Sequence, residues 1–300
     1  MAESDPRADS NEWTKPILLL AGPTASGKSR LALELARRRD AVILNADSQQ
    51  LYADLRVLTA RPSIEDEALA EHRLYGVADA ADAWSVGRWL RAIDVELGTL
   101  AREGRPAIVV GGTGLYFRAL TQGLADIPQI SSPDRDAASA LFDAEGEPAF
   151  RARLAAIDAS SAARITLGDR QRLVRAYAVA TYTGRTLGDW QAATQPLLPP
   201  ETFQSLVLEP SRGELYAACD ARSRIILDGG AVEEVARLAA RRVPPDRPVM
   251  KAVGVREISA LIEGRHTREA ALATLARSTR QYARRQTTWF RNQIADWTRA

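Results

Sequence analysis

The chain has 300 residues, of which 46% are hydrophobic and 26% charged, so it can bury one large core or two modest ones. Its net charge is only +2, and it has neither an apolar run of about 18 residues nor an apolar signal segment, which argues against a membrane span and against secretion. One cysteine, Cys219, and two histidines exclude a disulfide framework and a Cys/His zinc site within the chain. We therefore expect a cytoplasmic α/β protein.

The first predicted strand, residues 17–21, is a short apolar run, and residues 30–38 follow as a predicted helix. Between them lies a complete G-x-x-x-x-G-K-[ST] motif, which in this setting predicts a loop whose backbone N–H groups hold phosphate oxygens. Lysine offers a compact positive charge and the last hydroxyl suits Mg²⁺. The motif consists of Gly22, Pro23, Thr24, Ala25, Ser26, Gly27, Lys28 and Ser29.

Two more predicted strands, 41–46 and 107–110, end in polar segments, with a predicted helix over 85–103 between them. Asp47 follows one strand, and Thr113 lies in the glycine-rich segment after the other. Because the carboxyl ends of parallel strands meet at one edge of a sheet, we expect these segments to share a crevice with the phosphate loop. Asp47 is then a candidate general base or an indirect Mg²⁺ ligand. The alternatives are that Asp47 only caps the turn that follows it, and that the glycines at 111, 112 and 114 only form a turn without binding a ligand.

From about residue 123 the pattern changes to short Ala- and Arg-rich helical segments. The core resumes with a predicted strand at 203–208, followed by predicted helices over 213–228, 232–242 and 267–297. We therefore predict a P-loop NTPase-like parallel sheet flanked by helices, with an all-helical insert domain. The predicted divisions are a disordered tail at 1–13, a phosphate-binding core at 14–122, the insert at 123–195, and the returning core with C-terminal helices at 196–300.

Arginines concentrate on one face of the last predicted helix. At 100° per residue, Arg277, Arg280, Arg284 and Arg291 fall within about 60° of one another. Such a face suits a nucleic-acid backbone, although a solvated arginine face is the alternative.

Two arginine pairs elsewhere in the chain are further candidates for binding a phosphate or a nucleic-acid backbone. Arg172 and Arg175 share one helical face in the insert, as an ordinary surface pair also would. Arg222 and Arg224 lie on the helix after the returning strand, from which either could reach the phosphate loop.

Five segments in order resemble sequence blocks of the tRNA isopentenyltransferase family, the tRNA dimethylallyltransferases, and most closely its bacterial members. The likeness covers nearly the whole chain after Thr14. The five segments are 22–29, 45–50, 110–116, 171–176 with Thr183-Gly184, and 279–291.

The resemblance implies transfer of a dimethylallyl group from dimethylallyl diphosphate to N6 of adenosine 37 in tRNA, with release of pyrophosphate. Asp47 would accept the N6 proton, while Thr24 and Thr113 would line the channel between the substrates. Lys28, the loop amides and Mg²⁺ at Ser29 would stabilise the leaving pyrophosphate, with Arg222 as a further contact.

By the same resemblance, the target base leaves the anticodon loop and enters this channel, and the insert clamps the anticodon stem-loop. From the sequence itself we expect no membrane contact and no obligate protein partner, and we expect a monomer because no coiled-coil or apolar seam is evident. The tRNA contacts carried over from the family are Asp47, Ser48, Gln49, Gln50, Thr113, Arg135, Gln171, Arg172, Leu173, Val174, Arg175, Arg280 and Arg284.

Several positions depart from the family pattern. Leu58 and Arg61 stand where the family has Gly and Lys in a Gly-Thr-Ala-Lys-Pro element, and Glu71-His72-Arg73-Leu74 replaces a His-His-Leu element. Ile226 replaces a usual Met, and Val255 a usual Tyr.

Three other functions remain open on sequence. A small-molecule kinase would use the same loop with ATP, and a prenyltransferase of free adenine nucleotides would share the chemistry without needing the insert or the basic last helix. A tRNA-binding protein without catalysis would need neither Asp47 nor Lys28.

Overall fold

The structure, a computed structural model, describes residues 13–300 and is built on one six-stranded parallel sheet. The strands follow the order β3-β2-β4-β1-β5-β6 across the sheet. Their bounds are β1 Ile17–Ala21, β2 Val42–Asn45, β3 His72–Arg73, β4 Ala107–Gly111, β5 Phe203–Val207 and β6 Thr298–Arg299.

Helices cover both faces of the sheet and form the segment between β4 and β5. Two short 3₁₀ helices, Pro200–Thr202 and Pro248–Lys251, precede β5 and α12. The α-helices are α1 Lys28–Arg39, α2 Arg56–Thr59, α3 Ile64–Leu69, α4 Val86–Glu103, α5 Gly114–Gln122, α6 Ser132–Ile157, α7 Ala159–Arg164, α8 Arg170–Thr183, α9 Leu187–Ala192, α10 Arg212–Asp228, α11 Ala231–Ala240, α12 Val255–Ile262 and α13 Arg268–Gln293.

The central strands are apolar on both sides because helices cover both faces. Successive side chains of a strand point to opposite faces, so Leu18 and Leu20 pack against α1, whereas Leu19 packs in the larger core on the other side. Trp89 of α4 and Phe290 of α13 are fully buried in that larger core.

Strand pairing places three loops side by side. β1 pairs in parallel with β4 on one side and β5 on the other, and β4 pairs with β2. The loops that follow β1, β4 and β2 therefore leave the same edge of the sheet from neighbouring strands.

The predicted α/β fold with a parallel sheet is confirmed, and the four longer strands lie where the sequence placed them. The two-residue strands β3 and β6 were missed because so short a pairing leaves no apolar run. Helices α2, α3, α5 and α12 were missed, and the last helix ends at Gln293 rather than at residue 297. Trp297 instead packs edge-on against Phe117 in the larger core.

The chain divides into two compact units, with residues 13–121 and 197–300 in one and 122–196 in the other. The second unit, formed by α6 to α9, is helical and has its own core around Phe150, Leu154 and Leu173. Helix α6 bends at Gly146, where φ is 74°, two residues before Pro148. The two ends of this unit are adjacent, because the Thr194 hydroxyl donates to the Gln122 carbonyl at 3.3 Å.

The predicted disordered tail, 1–13, falls outside the described residues except for its last position. Trp13 is 3% exposed, and the Arg39 guanidinium stacks on its ring at 4.4 Å, so the tail prediction is wrong for that residue. In the described part of the chain, no helix is long and apolar enough to cross a membrane.

Candidate active site

The phosphate loop joins β1 to α1 and is shaped by two residues with positive φ. Gly27 has φ 86° and forms the N-cap of α1, and Ala25 has φ 64°. The backbone N–H of Ser26 donates to the Pro23 carbonyl at 3.2 Å, and the buried Lys28 ammonium donates to the same carbonyl at 3.1 Å. The loop thus keeps a lysine charge at the helix N-terminus, as phosphate binding requires.

Charges around Lys28 show which groups share the site. The pKa of the Lys28 ammonium is lowered from its ordinary 10.5 to about 8, chiefly by burial; the Asp47 carboxylate opposes the shift, and the Arg222 guanidinium contributes to it. Burial also lowers the pKa of Arg222, again opposed by Asp47. Two cations and one carboxylate therefore act on one another in this crevice.

Asp47 is 8% exposed and is held by its neighbours at the end of β2. Its backbone N–H donates to Asn45 Oδ1 at 2.8 Å, and Asn45 Nδ2 donates to the Asp47 and Leu74 carbonyls, at 3.0 Å each. Carboxylate Oδ1 accepts the Gln49 N–H at 3.0 Å, so Asp47 does cap the following turn. The other oxygen, Oδ2, lies against Gly112.

The loop after β4 approaches the loop after β2 very closely. A Cβ on Gly111 would lie 2.1 Å from the Ala46 carbonyl oxygen, so only glycine fits there. The backbone N–H of Thr113 donates to that carbonyl at 3.1 Å, and the Thr113 hydroxyl accepts the Ser48 N–H at 2.9 Å. Thr113 therefore lies beside the Asp47 segment, within the crevice.

Arg222 is held by the short turn that ends α2. Its Nη2 donates to the Thr59 carbonyl at 2.9 Å, and Gln50 Nε2 donates to the same oxygen at 3.0 Å. The buried Glu234 carboxylate accepts the N–H groups of Val57 and Leu58, at 2.8 and 3.0 Å, and so caps the start of α2. Arg222, predicted to bind the diphosphate, and Gln50, predicted to contact tRNA, thus donate to the same carbonyl oxygen.

Three buried tyrosines lie close enough to Asp47 for its charge to act on them. Burial raises the pKa of the Tyr75, Tyr116 and Tyr282 phenols, and the Asp47 charge raises each of them further. The phenols therefore stay protonated at neutral pH and can donate hydrogen bonds but cannot serve as bases.

Helix α13 closes the site, which the sequence did not predict. Gln286 bonds to the phosphate loop and to the β4 loop, and Trp289 packs against Gly114. In the sequence, the signal for this contact was a glutamine that shares a helical face with the apolar residues Ala283 and Phe290.

The predicted arginine stripe of α13 is divided in the structure. Arg280 pairs with Asp220, and Arg291 with Glu209. Arg277 and Arg284 are exposed. Only part of the predicted stripe is therefore available to a polyanion without first breaking an ion pair.

Among the predicted insert residues, Arg135, Gln171, Arg172 and Arg175 are exposed. Leu173 is fully buried in the core of its own unit, so a contact of this residue with tRNA would have to be made by its backbone. Val174 is half-buried and packs against the same core.

A metal ion would find few protein ligands here. Ser29 is exposed in the first turn of α1, next to Lys28, and the described residues contain no group of three or more His, Cys, Asp or Glu side chains that could hold a metal. A hydroxyl supplemented by substrate phosphate oxygens and water is an arrangement that Mg²⁺ commonly adopts.

The positions that depart from the family pattern have packing roles. Leu58, Ile226 and Val255 are buried in the larger core. The Arg61 guanidinium fills the space beside Gly76, where a Cβ would lie 2.2 Å from Nη1. Glu71 pairs with Arg105 at 2.6 Å.

These observations define an α/β P-loop protein whose phosphate loop and buried carboxylate face one crevice. Comparison with known proteins narrows this class. The family model "IPP transferase" matches residues 50–293, and the model "Isopentenyl transferase" matches residues 15–80. This chain belongs to the IPP transferase family, the transferases that prenylate tRNA.

Individual relatives agree over nearly the full length. A tRNA dimethylallyltransferase of Caulobacter sp. (strain K31) is 53% identical over 94% of this chain and 92% of its own. The solved tRNA isopentenylpyrophosphate transferase of Bacillus halodurans is 28% identical, with a TM-score of 0.66 over 96% of this chain and 90% of its own. A eukaryotic dimethylallyltransferase acting on tRNA has a TM-score of 0.81 over 95% of this chain and 73% of its own, and at 21% identity it shows the fold alone.

Proposed function

We propose that this chain transfers a dimethylallyl group from dimethylallyl diphosphate to N6 of adenosine 37, in the anticodon loop of tRNA. The observation that carries the proposal is the meeting of Lys28, Arg222 and Asp47 in one crevice, where the carboxylate acts on both cations. A diphosphate leaving group needs the cations, and a nitrogen nucleophile that loses a proton needs the carboxylate.

The reaction forms a bond between N6 and the first carbon of the prenyl group, and it breaks the bond from that carbon to the diphosphate oxygen. The electron pair of the broken bond leaves with pyrophosphate, which Lys28, Arg222 and the amides of the phosphate loop stabilise. The proton on N6 passes to the Asp47 carboxylate. Thr24 and Thr113 line the passage in which the two substrates meet.

Enzymes of this family generally depend on a divalent metal, and we propose Mg²⁺ at the Ser29 hydroxyl. When bound, the ion would neutralise charge on the diphosphate. Ser29 follows Lys28 in the first turn of α1, and its exposed hydroxyl fits this role.

We propose that two sets of residues contact tRNA, one beside the reacting groups and one in the helical unit. Ser48, Gln49 and Gln50 follow Asp47 and would touch the target loop, as would Arg280 and Arg284 on α13. Exposed residues of the helical unit, Arg135, Gln171, Arg172 and Arg175, would bind the anticodon stem-loop backbone. We propose that the enzyme acts in the cytoplasm, where its tRNA substrate is found, and without an obligate protein partner.

The test is incubation of the purified protein and Mg²⁺ with radiolabelled dimethylallyl diphosphate and an unmodified tRNA that carries adenosine at position 37. Parallel reactions contain the same tRNA with guanosine at position 37, or AMP alone. Label in the adenosine tRNA only is the expected result. Label in AMP would favour a prenyltransferase of free nucleotides. If no acceptor is labelled while a reference enzyme labels tRNA under the same conditions, an ATP-dependent kinase becomes the favoured function.

A further inference from the structure

Gln286 is a buried amide in the middle of α13. Its side chain is 7% exposed, and its neighbours on the inward face, Ala283 and Phe290, are fully buried and apolar. A polar side chain among apolar ones is unfavourable unless it is hydrogen-bonded, so its partners indicate why it is there.

The two polar atoms of Gln286 bind two different loops of the site. Oε1 accepts the backbone N–H of Thr24, in the phosphate loop, at 2.8 Å. Nε2 donates to the carbonyl of Gly112, in the loop after β4, at 2.9 Å. One partner is a donor and the other an acceptor, so they fix the orientation of the amide. Among side chains of this length, only an amide offers both an acceptor and a donor at neutral pH.

Gly112 leaves the space that this contact needs. A Cβ at position 112 would lie 2.2 Å from Gln286 Nε2 and 3.3 Å from Asp47 Oδ2. The amide and the carboxylate therefore face the same small space beside the Gly112 backbone.

Contacts before and after Gln286 hold α13 against the same two loops. Ala283 packs with Cys219 and with Ala25 of the phosphate loop. On the other side, Trp289 fills the space beside Gly114, where a Cβ would lie 2.1 Å from its ring. Gln286 lies between these two apolar contacts on the helix, and its side chain hydrogen-bonds to both loops.

We propose that Gln286 is a positioning residue that fixes the distance between the two reacting ends of the site, an inference that rests on the proposed function. The phosphate loop carries Lys28 at the leaving-group end. The β4 loop carries Thr113 and touches Asp47 at the proton-accepting end. Group transfer depends on alignment of the two substrates, and a displacement of about 1 Å can slow such a reaction by about 100-fold.

Loss of the amide should slow the reaction without weakening the binding of either substrate. Each loop keeps hydrogen bonds of its own, from Ser26 N–H to the Pro23 carbonyl and from Thr113 N–H to the Ala46 carbonyl. Each substrate can therefore still bind its own loop, while the register between the loops loosens.

The test is Gln286→Met, which keeps the length of the side chain and removes both hydrogen bonds. The matched control is Gln281→Met, at an exposed position of the same helix. We expect kcat for labelling of tRNA to fall by at least about 30-fold in Gln286→Met, with both KM values within about threefold of the unmodified enzyme. Pyrophosphate affinity, measured by calorimetry, should not change, and Gln281→Met should behave as the unmodified enzyme does.

A normal kcat in folded Gln286→Met would overturn the inference. A raised KM for dimethylallyl diphosphate with unchanged kcat would overturn it too, because Gln286 would then support the phosphate loop alone. If Gln286→Met does not fold, Gln286→Asn replaces it, since it keeps an uncharged amide but is one methylene too short to bind both loops at once. For this variant, a fall in kcat alone supports the inference and a normal kcat overturns it. Failure of the unmodified enzyme and of Gln281→Met to label tRNA would instead overturn the proposed function.

Discussion

At the scale of single residues, Asp47 has two tasks that a single substitution can separate. One carboxylate oxygen caps the turn through Gln49 N–H, and the other lies against Gly112, inside the crevice. Asp47→Asn keeps an oxygen for the turn but has no base for the N6 proton. We expect the single-turnover rate of tRNA prenylation to fall by about 10²–10⁴-fold, with tRNA affinity within a few-fold of normal.

The rate is measured by rapid quench with labelled dimethylallyl diphosphate, and the affinity by filter binding. Asp40→Asn, at an exposed position after α1, is the control for loss of one negative charge. Lost tRNA affinity together with a normal rate on bound tRNA would contradict the role of Asp47 as a base.

The buried Lys28 should make diphosphate binding depend on pH. In the folded protein its pKa is lowered to about 8, whereas the unfolded chain holds that proton up to about 10.5. The ammonium therefore becomes neutral as the pH rises through about 8, and pyrophosphate affinity should then fall by up to about tenfold per pH unit. The same proton balance makes Lys28 increase the free energy of unfolding as the pH rises from about 8 to about 10.5.

Lys28→Arg provides the comparison, because a guanidinium stays charged throughout this range. Pyrophosphate titrates identically in both experiments, so the ratio of the two affinities, measured by calorimetry from pH 6.5 to 9.5, isolates the lysine. Parallel pH profiles for the two proteins would show that Lys28 keeps its proton in this range.

At the scale of elements, α13 has an inner face that holds the site together and an outer face that carries charge. Arg280 and Arg291 are paired with acids, whereas Arg284 is exposed and can bind a polyanion without first breaking an ion pair. We expect Arg284→Ala to weaken tRNA binding and to reduce the slope of log K against log salt by about 1.

Binding is measured by filter retention between about 50 and 200 mM salt, a range over which several phosphate contacts change affinity by orders of magnitude. Arg237→Ala, on the exposed face of α11, removes the same charge from another helix and is the control. If the slope for Arg284→Ala equals that of the control, the outer face of α13 is an ordinary solvated surface.

At the scale of the whole molecule, the helical unit should be removable. Its ends meet at Gln122 and Thr194, and in the other unit the Leu198 N–H donates to the Leu120 carbonyl at 2.9 Å. A short Gly-Ser linker in place of residues 123–195 can therefore join two chain ends that already lie together.

We expect the shortened protein to unfold cooperatively and to bind pyrophosphate within about threefold of normal, while its tRNA affinity falls by at least about tenfold through loss of backbone contacts. Thermal unfolding followed by circular dichroism, calorimetry and filter binding measure the three quantities. Unchanged tRNA affinity would remove the helical unit from the proposed tRNA contacts. An intact chain with residues 123–195 kept and the same linker added at Gly104, an exposed turn glycine with positive φ outside the helical unit, controls for the linker itself.

The sequence by itself determined the fold class, the longer strands and the phosphate loop. Each depends on neighbours in the chain: an apolar run forms a buried strand, and Gly27 and Lys28 lie within eight residues of Gly22. The resemblance also indicated the family, because its blocks keep their order along the chain.

Only the tertiary structure decided which of these residues meet. Gln286 lies 262 residues from Thr24 and 174 from Gly112, and no local pattern distinguishes a glutamine that binds two loops from one that faces water. The pairing of Arg280 and Arg291 with acids, and the burial of Leu173, likewise depend on residues outside the helix that carries each of them. Local order in a chain follows from short-range preferences, whereas hydrogen bonds and ion pairs between distant segments exist only once the core has brought those segments together.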